Sequence, residues 1–194
     1  MSQAPFDFTR AMSRLCVDVT ARLPEFEHVR MEHVAVTFAQ ARLRVAHGLQ
    51  AKLTPMRFAD GALTTQRNGR HWTVQRLFQG DREILYILTF YLPRFLDHSF
   101  REKMVTVLHE LYHISPEFNG DIRRLEGRCH VHSHSQKGYD EHMAQLADQY
   151  LRLRPPRELY DFLRLNFRTL HRRHGGVVGL RVPIPKLVAL PKSA

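Results

Sequence analysis

Apolar residues recur at helical spacing near the start of the chain, alternate with other residues in its middle, and return to helical spacing after residue 93. A first helix is predicted to begin after Asp7, whose side chain can cap it, and to end at Pro24. Its apolar face is formed by Phe8, Met12, Leu15 and Val19. We therefore expect this helix to bury one face in a core.

The middle of the chain, residues 31–91, has the pattern of short strands. Val34, Val36 and Phe38 occupy alternate positions, which is typical of a half-buried strand. Asp-Gly, Asn-Gly and Gly-Asp pairs separate the segments as turns. Strand-like segments are predicted at 31–38, 55–58, 71–77 and 84–91, the last being a β-branched and aromatic run. Together they predict a small sheet.

After Pro93 the pattern is helical. Ser99 and Glu102 have the spacing of a capping box, which predicts a helix start, and Pro116 predicts the end of that helix. Its apolar stripe consists of Met104, Val107, Leu108, Leu111 and Ile114. Two further helices are predicted at 139–150 and 157–173.

These elements predict an α+β fold. A small mixed β-sheet is expected to pack against the N-terminal helix and the helix after Ser99, with further helices towards the C-terminus. The expected organisation is a main domain at 1–151, a basic amphipathic helix at 152–176 and a Pro-containing extended basic tail at 177–194.

Composition agrees with a globular protein and excludes several other classes. The chain has 194 residues, of which 43% are hydrophobic and 25% charged, so it can form a core. Its longest apolar run, 84–92, is about half as long as a membrane span requires. The first residues lack a secretory pattern, and two cysteines cannot build a disulfide framework. We therefore expect a soluble cytoplasmic protein without a membrane partner.

The net charge of +10 is concentrated in one part of the chain. Residues 151–194 contain ten Lys and Arg against two acids, a net +8, which leaves +2 for residues 1–150. Four arginines are predicted to share one side of the 157–173 helix: Arg157, Arg164, Arg168 and Arg172. They form either a solvated basic face or a surface for nucleic-acid phosphates, and no zinc-finger, RRM or helix-turn-helix signature accompanies them.

The helix after Ser99 contains the sequence His-Glu-Leu-Tyr-His at 109–113. His109 and His113 lie one turn apart on one helix face, so both imidazoles can bind a single metal ion. Glu110 lies beside the pair, where its carboxylate can take a proton from a water that Zn²⁺ has acidified to a pKa of about 7. Composition alone gives only about 0.04 chance matches of this HExxH pattern in such a chain.

Two histidines need a third ligand, since catalytic zinc usually has three protein ligands and one open position. The polar segment after the motif offers several candidates: Cys129, His130, His132, His134 and His142. Glu141 is a further candidate, which would give a His₂Glu site. The residues alone leave this choice open.

The motif helix, the loop of about twenty residues and the His before an aromatic residue at the next helix resemble the minimal zincin metallopeptidases. The likeness is to a group of phage and prokaryotic metallopeptidases and, more distantly, to SprT-like and WLM proteins. In these families the third ligand is a His shortly before a helix, with an aromatic residue a few positions on. The resemblance therefore implies His134, which precedes Tyr139, with His132 and then His130 as alternates. It also implies a minimal zincin-like domain with a few strands beside the active helix. The resemblance is strong only over 105–150, and the metzincin spacing HExxHxxGxxH is absent.

Other residues near the motif are weaker candidates. Tyr112 and Tyr139 can donate a hydrogen bond to an oxyanion, although packing is the more ordinary role of each. Asp140 or Glu117 can orient a ligand imidazole.

The sequence thus predicts a zinc-dependent metallopeptidase that acts on a protein or peptide substrate. Zn²⁺ is the expected cofactor, His109, His113 and His134 its expected ligands, and Glu110 the general base. Two alternatives stay open. One is a nucleic-acid-associated protein whose metal site is structural or vestigial, and the other is a peptidase acting on DNA-bound proteins.

Overall fold

The computed structural model describes residues 4–41, 48–124 and 136–191. The helices are α1 (Phe8–Arg22), α2 (Phe100–Tyr112), α3 (Gln136–Arg152) and α4 (Phe167–His174). The strands are β1 (Phe6–Asp7), β2 (Val34–Gln40), β3 (Ala51–Pro55), β4 (Thr64–Arg67), β5 (Arg70–Val74), β6 (Leu77–Gln79), β7 (Arg82–Ile84), β8 (Tyr86–Leu92), β9 (Val177–Val178) and β10 (Leu187–Ala189). The predicted α+β class is confirmed. None of the described helices combines the length and apolar character needed to cross a membrane.

A three-stranded mixed sheet forms the framework, with β8 in its centre, parallel to β2 and antiparallel to β3. Tyr86, Leu88 and Phe90 of β8 are fully buried, which accounts for the apolar run seen in the sequence. The remaining strands form short pairs: β4 and β10 flank β5, β6 pairs with β7, and β1 pairs with β9. The predicted strand bounds shift in several places. The segment predicted at 71–77 is divided between β5 and β6, and the one predicted at 84–91 begins at the end of β7 and continues as β8. Met31–His33 is a 3₁₀ turn before β2, and the segment predicted at 55–58 lies earlier, as β3.

α1 and α2 pack with the sheet in one hydrophobic core, and both begin as predicted. The Asp7 carboxylate accepts the Arg10 N–H at 2.9 Å at the start of α1. Ser99 and Glu102 form the complete capping box at the start of α2. These caps fix where each helix begins, and therefore which residues face the core.

The prediction of a single helix at 157–173 is wrong. Two 3₁₀ turns, Arg157–Leu159 and Asp161–Arg164, precede the much shorter α4. Asn166 interrupts the pattern because its side chain accepts the Thr169 N–H at 2.8 Å and so starts a new helix.

The C-terminal residues pack into the main core. Phe162, Leu163 and Leu170 are buried in the same cluster as α1 and α2, so the boundary expected at residue 151 does not separate two cores. The segment at 177–191 is extended, but it pairs with the rest of the protein through β9 and β10.

Lys103 links α2 to this C-terminal region. Its buried ammonium group donates to the carbonyl oxygens of Leu96, at 2.6 Å, and Leu165, at 2.9 Å. Burial lowers the pKa of Lys103 to about 8. The two carbonyls compensate for the loss of water around the ammonium group.

Glu83 is expected to make stability depend on pH. The hydrogen bond from Arg76, joined by one from Arg57, lowers the pKa of Glu83 to about 2, so its contribution is present above pH 4.5 and is lost as the pH falls towards 2. Because Arg76 is half exposed, screening limits the cost of Glu83→Gln at pH 7 to about 1 kcal/mol. Urea unfolding of wild type and variant at a series of pH values should show this difference shrinking below pH 4.5. A difference independent of pH would contradict the assignment.

Candidate metal and catalytic site

α2 places two imidazoles of the HExxH motif together. The Nε2 atoms of His109 and His113 are 2.9 Å apart, and the two rings meet edge to face with their centroids 4.6 Å apart. The one-turn spacing produces this pairing directly, because residues four apart share a helix face. At this distance one ring nitrogen can donate to the other.

Glu110 is buried beside this pair, with 9% of its surface exposed. Its Oε2 atom accepts the backbone N–H of Leu53 in β3 at 2.7 Å. Burial raises the pKa of Glu110 to about 7, and the bond from Leu53 opposes that rise. The carboxyl group is therefore poised between its two protonation states near neutral pH.

The register of β3 explains why the Leu53 N–H is available to α2. The Tyr91 N–H donates to the Gln50 carbonyl at 2.9 Å, so even-numbered residues of this strand bond to β8. The backbone groups of Ala51 and Leu53 consequently point away from β8. β3 is an edge strand of its sheet, and the Glu110 carboxylate accepts from one of these outward groups, the Leu53 N–H.

Arg123 fixes the last turn of α2. Its backbone N–H donates to the His113 carbonyl and its Nε to the Tyr112 carbonyl, each at 2.7 Å. Its guanidinium group also lies 4.1 Å from the centre of the Tyr112 ring. The ring of Tyr112 packs against His142 of α3 as well, with centroids 5.6 Å apart.

Asp121 organises the loop that follows the motif. Its carboxylate accepts the N–H groups of Asp60, at 3.0 Å, and Ile122, at 2.8 Å, and forms a salt bridge with Arg124. The hydroxyl group of Tyr86 donates to the Asp121 carbonyl at 2.9 Å. Neither Asp121 nor Arg123 was singled out from the sequence, since an acid and an arginine in a polar loop carry no distinctive spacing.

The other predicted site residues fall into two groups. Part of the predicted site lies outside the described residues: Cys129, His130, His132, His134 and the side chain of Tyr139. Asp140, Glu141 and Glu117 are exposed, and within the described ranges no three His, Cys, Asp or Glu side chains are grouped to hold a metal ion.

Comparisons of the chain with protein-family models, curated proteins and solved structures gave no match.

Asp121→Ala is expected to lower the free energy of unfolding by about 1–2 kcal/mol, because the part-buried hydrogen bonds from the Asp60 and Ile122 N–H groups lose their charged acceptor. The matched control is Glu117→Ala in the same loop, where an exposed carboxylate accepts only from Asn119. Urea unfolding should separate the two variants clearly. Equal effects would show that the Asp121 bonds do not hold the loop.

Proposed function

We propose that this protein is a zinc-dependent metallopeptidase. The observation that supports this most strongly is the buried Glu110, held by the Leu53 N–H, beside the Nε2 atoms of His109 and His113. Those two nitrogens are 2.9 Å apart. The ligating nitrogens of two imidazoles in a tetrahedral zinc site are about 3.3 Å apart, so small rotations of the two side chains would make room for the ion.

His134 is the proposed third ligand, with His132 and His130 as alternates. All three belong to residues 125–135, which join two parts of the protein that both lie beside α2. Before this segment, Arg123 bonds to the end of α2, and after it, His142 of α3 contacts Tyr112. The described residues on both sides of this segment therefore contact α2, which supports the choice of a ligand from within it.

Glu110 is the proposed general base. Leu53 holds one carboxylate oxygen, which leaves the other to take a proton from the attacking water and deliver it to the leaving nitrogen. Burial raises the pKa of Glu110, which makes its carboxylate a stronger base than an exposed one. Zn²⁺, when bound, supplies the Lewis acidity that makes water nucleophilic.

The outward edge of β3 supports a peptide as the substrate. Ala51 and Leu53 turn their carbonyl oxygens away from β8, on the side where Glu110 reaches the strand. An extended peptide can hydrogen-bond to such an edge and so be aligned beside the base.

Glu110→Gln is expected to reduce hydrolysis of casein by at least about 100-fold, because the amide cannot take the proton. Zinc content should stay at the wild-type level, since Glu110 is not a proposed ligand. Zinc analysis and release of fluorescent casein fragments measure both. Hydrolysis by this variant at the wild-type rate would refute the mechanism.

Metal binding is checked by single His→Ala variants. His109→Ala, His113→Ala and His134→Ala should each lose zinc, whereas His71→Ala, an exposed histidine on β5, should keep it. If wild-type protein binds no zinc, the proposed function falls. If His132→Ala or His130→Ala loses zinc instead of His134→Ala, only the ligand assignment changes.

A nucleic-acid contact is the second candidate function, supported by the surface of α4. Arg168, Arg172 and Arg173 are exposed there and form no salt bridge with any described residue. The four-arginine face expected from a single helix is not present, because Arg164 bonds to Asp161 and stacks on Phe100. Arg157 is exposed but belongs to the first 3₁₀ turn, so the candidate phosphate contact is placed on α4, where three arginines share one short helix.

The Arg172→Gln/Arg173→Gln variant is expected to bind duplex DNA with a salt dependence reduced by about two phosphate contacts, a change of roughly 1.8 in the slope of log K against log salt. The control is Arg67→Gln/Arg70→Gln, exposed at the β4–β5 turn. Substitution is preferable to deleting residues 152–194, since that deletion would remove buried Leu163 and Leu170. Equal slopes for both variants would rule out this contact.

A further inference from the structure

The edge of β2 that faces away from β8 is open along part of its length. The Ala41 N–H donates to Leu92 at 2.8 Å, on the β8 side, whereas the Phe38 N–H donates to Leu180 at 3.1 Å, away from β8. By this alternation Val36 also turns its N–H and C=O away from β8. Within the described parts of the chain, no hydrogen bond reaches these two groups of Val36.

A groove of about 650 Å³ runs along this edge, and we call it the β2 groove. α1 lines it through Thr9, Ser13 and Val17, and Gln79 and Arg82, on either side of the turn between β6 and β7, line it as well. Val36, only 6% exposed, lies at its base. The groove is distinct from the edge of β3 that approaches Glu110, because β2 and β3 lie on opposite sides of β8.

The protein's own C-terminal segment shows how this edge binds an extended backbone. Leu180 lies at one end of the β2 groove, where its carbonyl accepts the Phe38 N–H and its N–H donates to the Thr9 hydroxyl at 3.0 Å. One backbone unit is thus held by the strand edge on one side and by an α1 hydroxyl on the other.

The same pair of partners recurs further along the groove. Ser13 follows Thr9 by about 6 Å along α1, and Val36 precedes Phe38 by two residues, about 6.6 Å along β2. Both Ser13 and Val36 line the groove. The spacing of Thr9 and Ser13 along α1 is thus close to that of Phe38 and Val36 along β2, and both match the two-residue repeat of an extended chain.

Charge at the far end favours a basic side chain. Glu27 and Glu32 line the groove there, both are exposed, and neither forms a salt bridge with a described residue. Arg82 is the only Lys or Arg among the lining residues, and its strand β7 contacts the 3₁₀ turn that carries Glu32. A Lys or Arg of an incoming segment would meet two carboxylates at this end.

We propose that the β2 groove binds an extended peptide segment of a partner protein. The segment adds a strand to β2 through the Val36 N–H and C=O, and places a Lys or Arg beside Glu27 and Glu32. This binding is independent of the proposed peptidase activity, since no residue of the HExxH motif takes part.

The test uses a capped heptapeptide of alternating Val and Thr with Arg at both ends, titrated into ¹⁵N-labelled full-length protein. We expect the Val36 amide resonance to shift and its hydrogen exchange to slow. A peptide of the same sequence with alternate backbone nitrogens methylated should bind at least about tenfold more weakly in one of its two methylation registers, because a strand needs those donors. Equal binding by both N-methylated registers and the parent peptide, or no shift at Val36 at millimolar peptide, would overturn the proposal.

Protein variants supply the matched controls. Val36→Pro removes the outward N–H together with part of a buried side chain, so its fold is checked first by circular dichroism. The folded variant should bind the peptide about five- to tenfold more weakly, while Val36→Ile keeps the donor and should bind normally. Glu27→Gln/Glu32→Gln tests the charged end without touching the strand and should remove the preference for the Arg-containing peptide over an uncharged one. Unaltered preference in this variant would overturn the assignment of that end.

Concentration-dependent shifts at Val36 without peptide, together with a doubled mass, would show a second copy of the chain in the groove and overturn the partner assignment.

Discussion

The carboxylate of Glu110 can be buried in this protein because one backbone N–H of β3 points away from its own sheet. A charged or polar group inside a protein is costly unless it finds a partner, and Leu53 provides that partner at 2.7 Å. The bond also sets the approach of α2 to the edge of β3. If β3 were shifted by one residue along β8, Lys52 or Thr54 would take the place of Leu53, and the buried and exposed faces of the strand would exchange. The register of β3 thus decides that a buried residue, Leu53, donates to Glu110.

The sequence was most informative where a single local rule decides the structure. The capping residues Asp7 and Ser99 fixed the starts of α1 and α2, and the i, i+4 spacing of His109 and His113 was sufficient to place their imidazoles together. Glu110 was identified as the acidic residue of the motif, but its bond to Leu53 was not foreseen. That bond joins residues 57 apart in sequence, and no local pattern encodes it.

The C-terminal region shows the opposite situation. Arg157, Arg164, Arg168 and Arg172 have helical spacing, yet Asn166 caps a new helix and divides them. A local side-chain bond therefore overrode the periodicity. The stripe of apolar residues in the same stretch was a better guide, since Tyr160, Leu163 and Leu170 are buried although they do not share one helix. Burial follows from hydrophobicity even where the backbone departs from the expected form.

The pairing of β1 with β9 joins the start of the described chain to residues near its end. Phe6 lies opposite Val177, and its ring also meets Phe162, at 5.5 Å, and His174, at 5.2 Å. Contacts of such long sequence separation carry a high loop-closure cost. During synthesis, α1 can pack on the strands of the sheet before residues 162–177 have been made. The apolar surface at Phe6 therefore stays incompletely covered, and available to chaperones, until those residues follow.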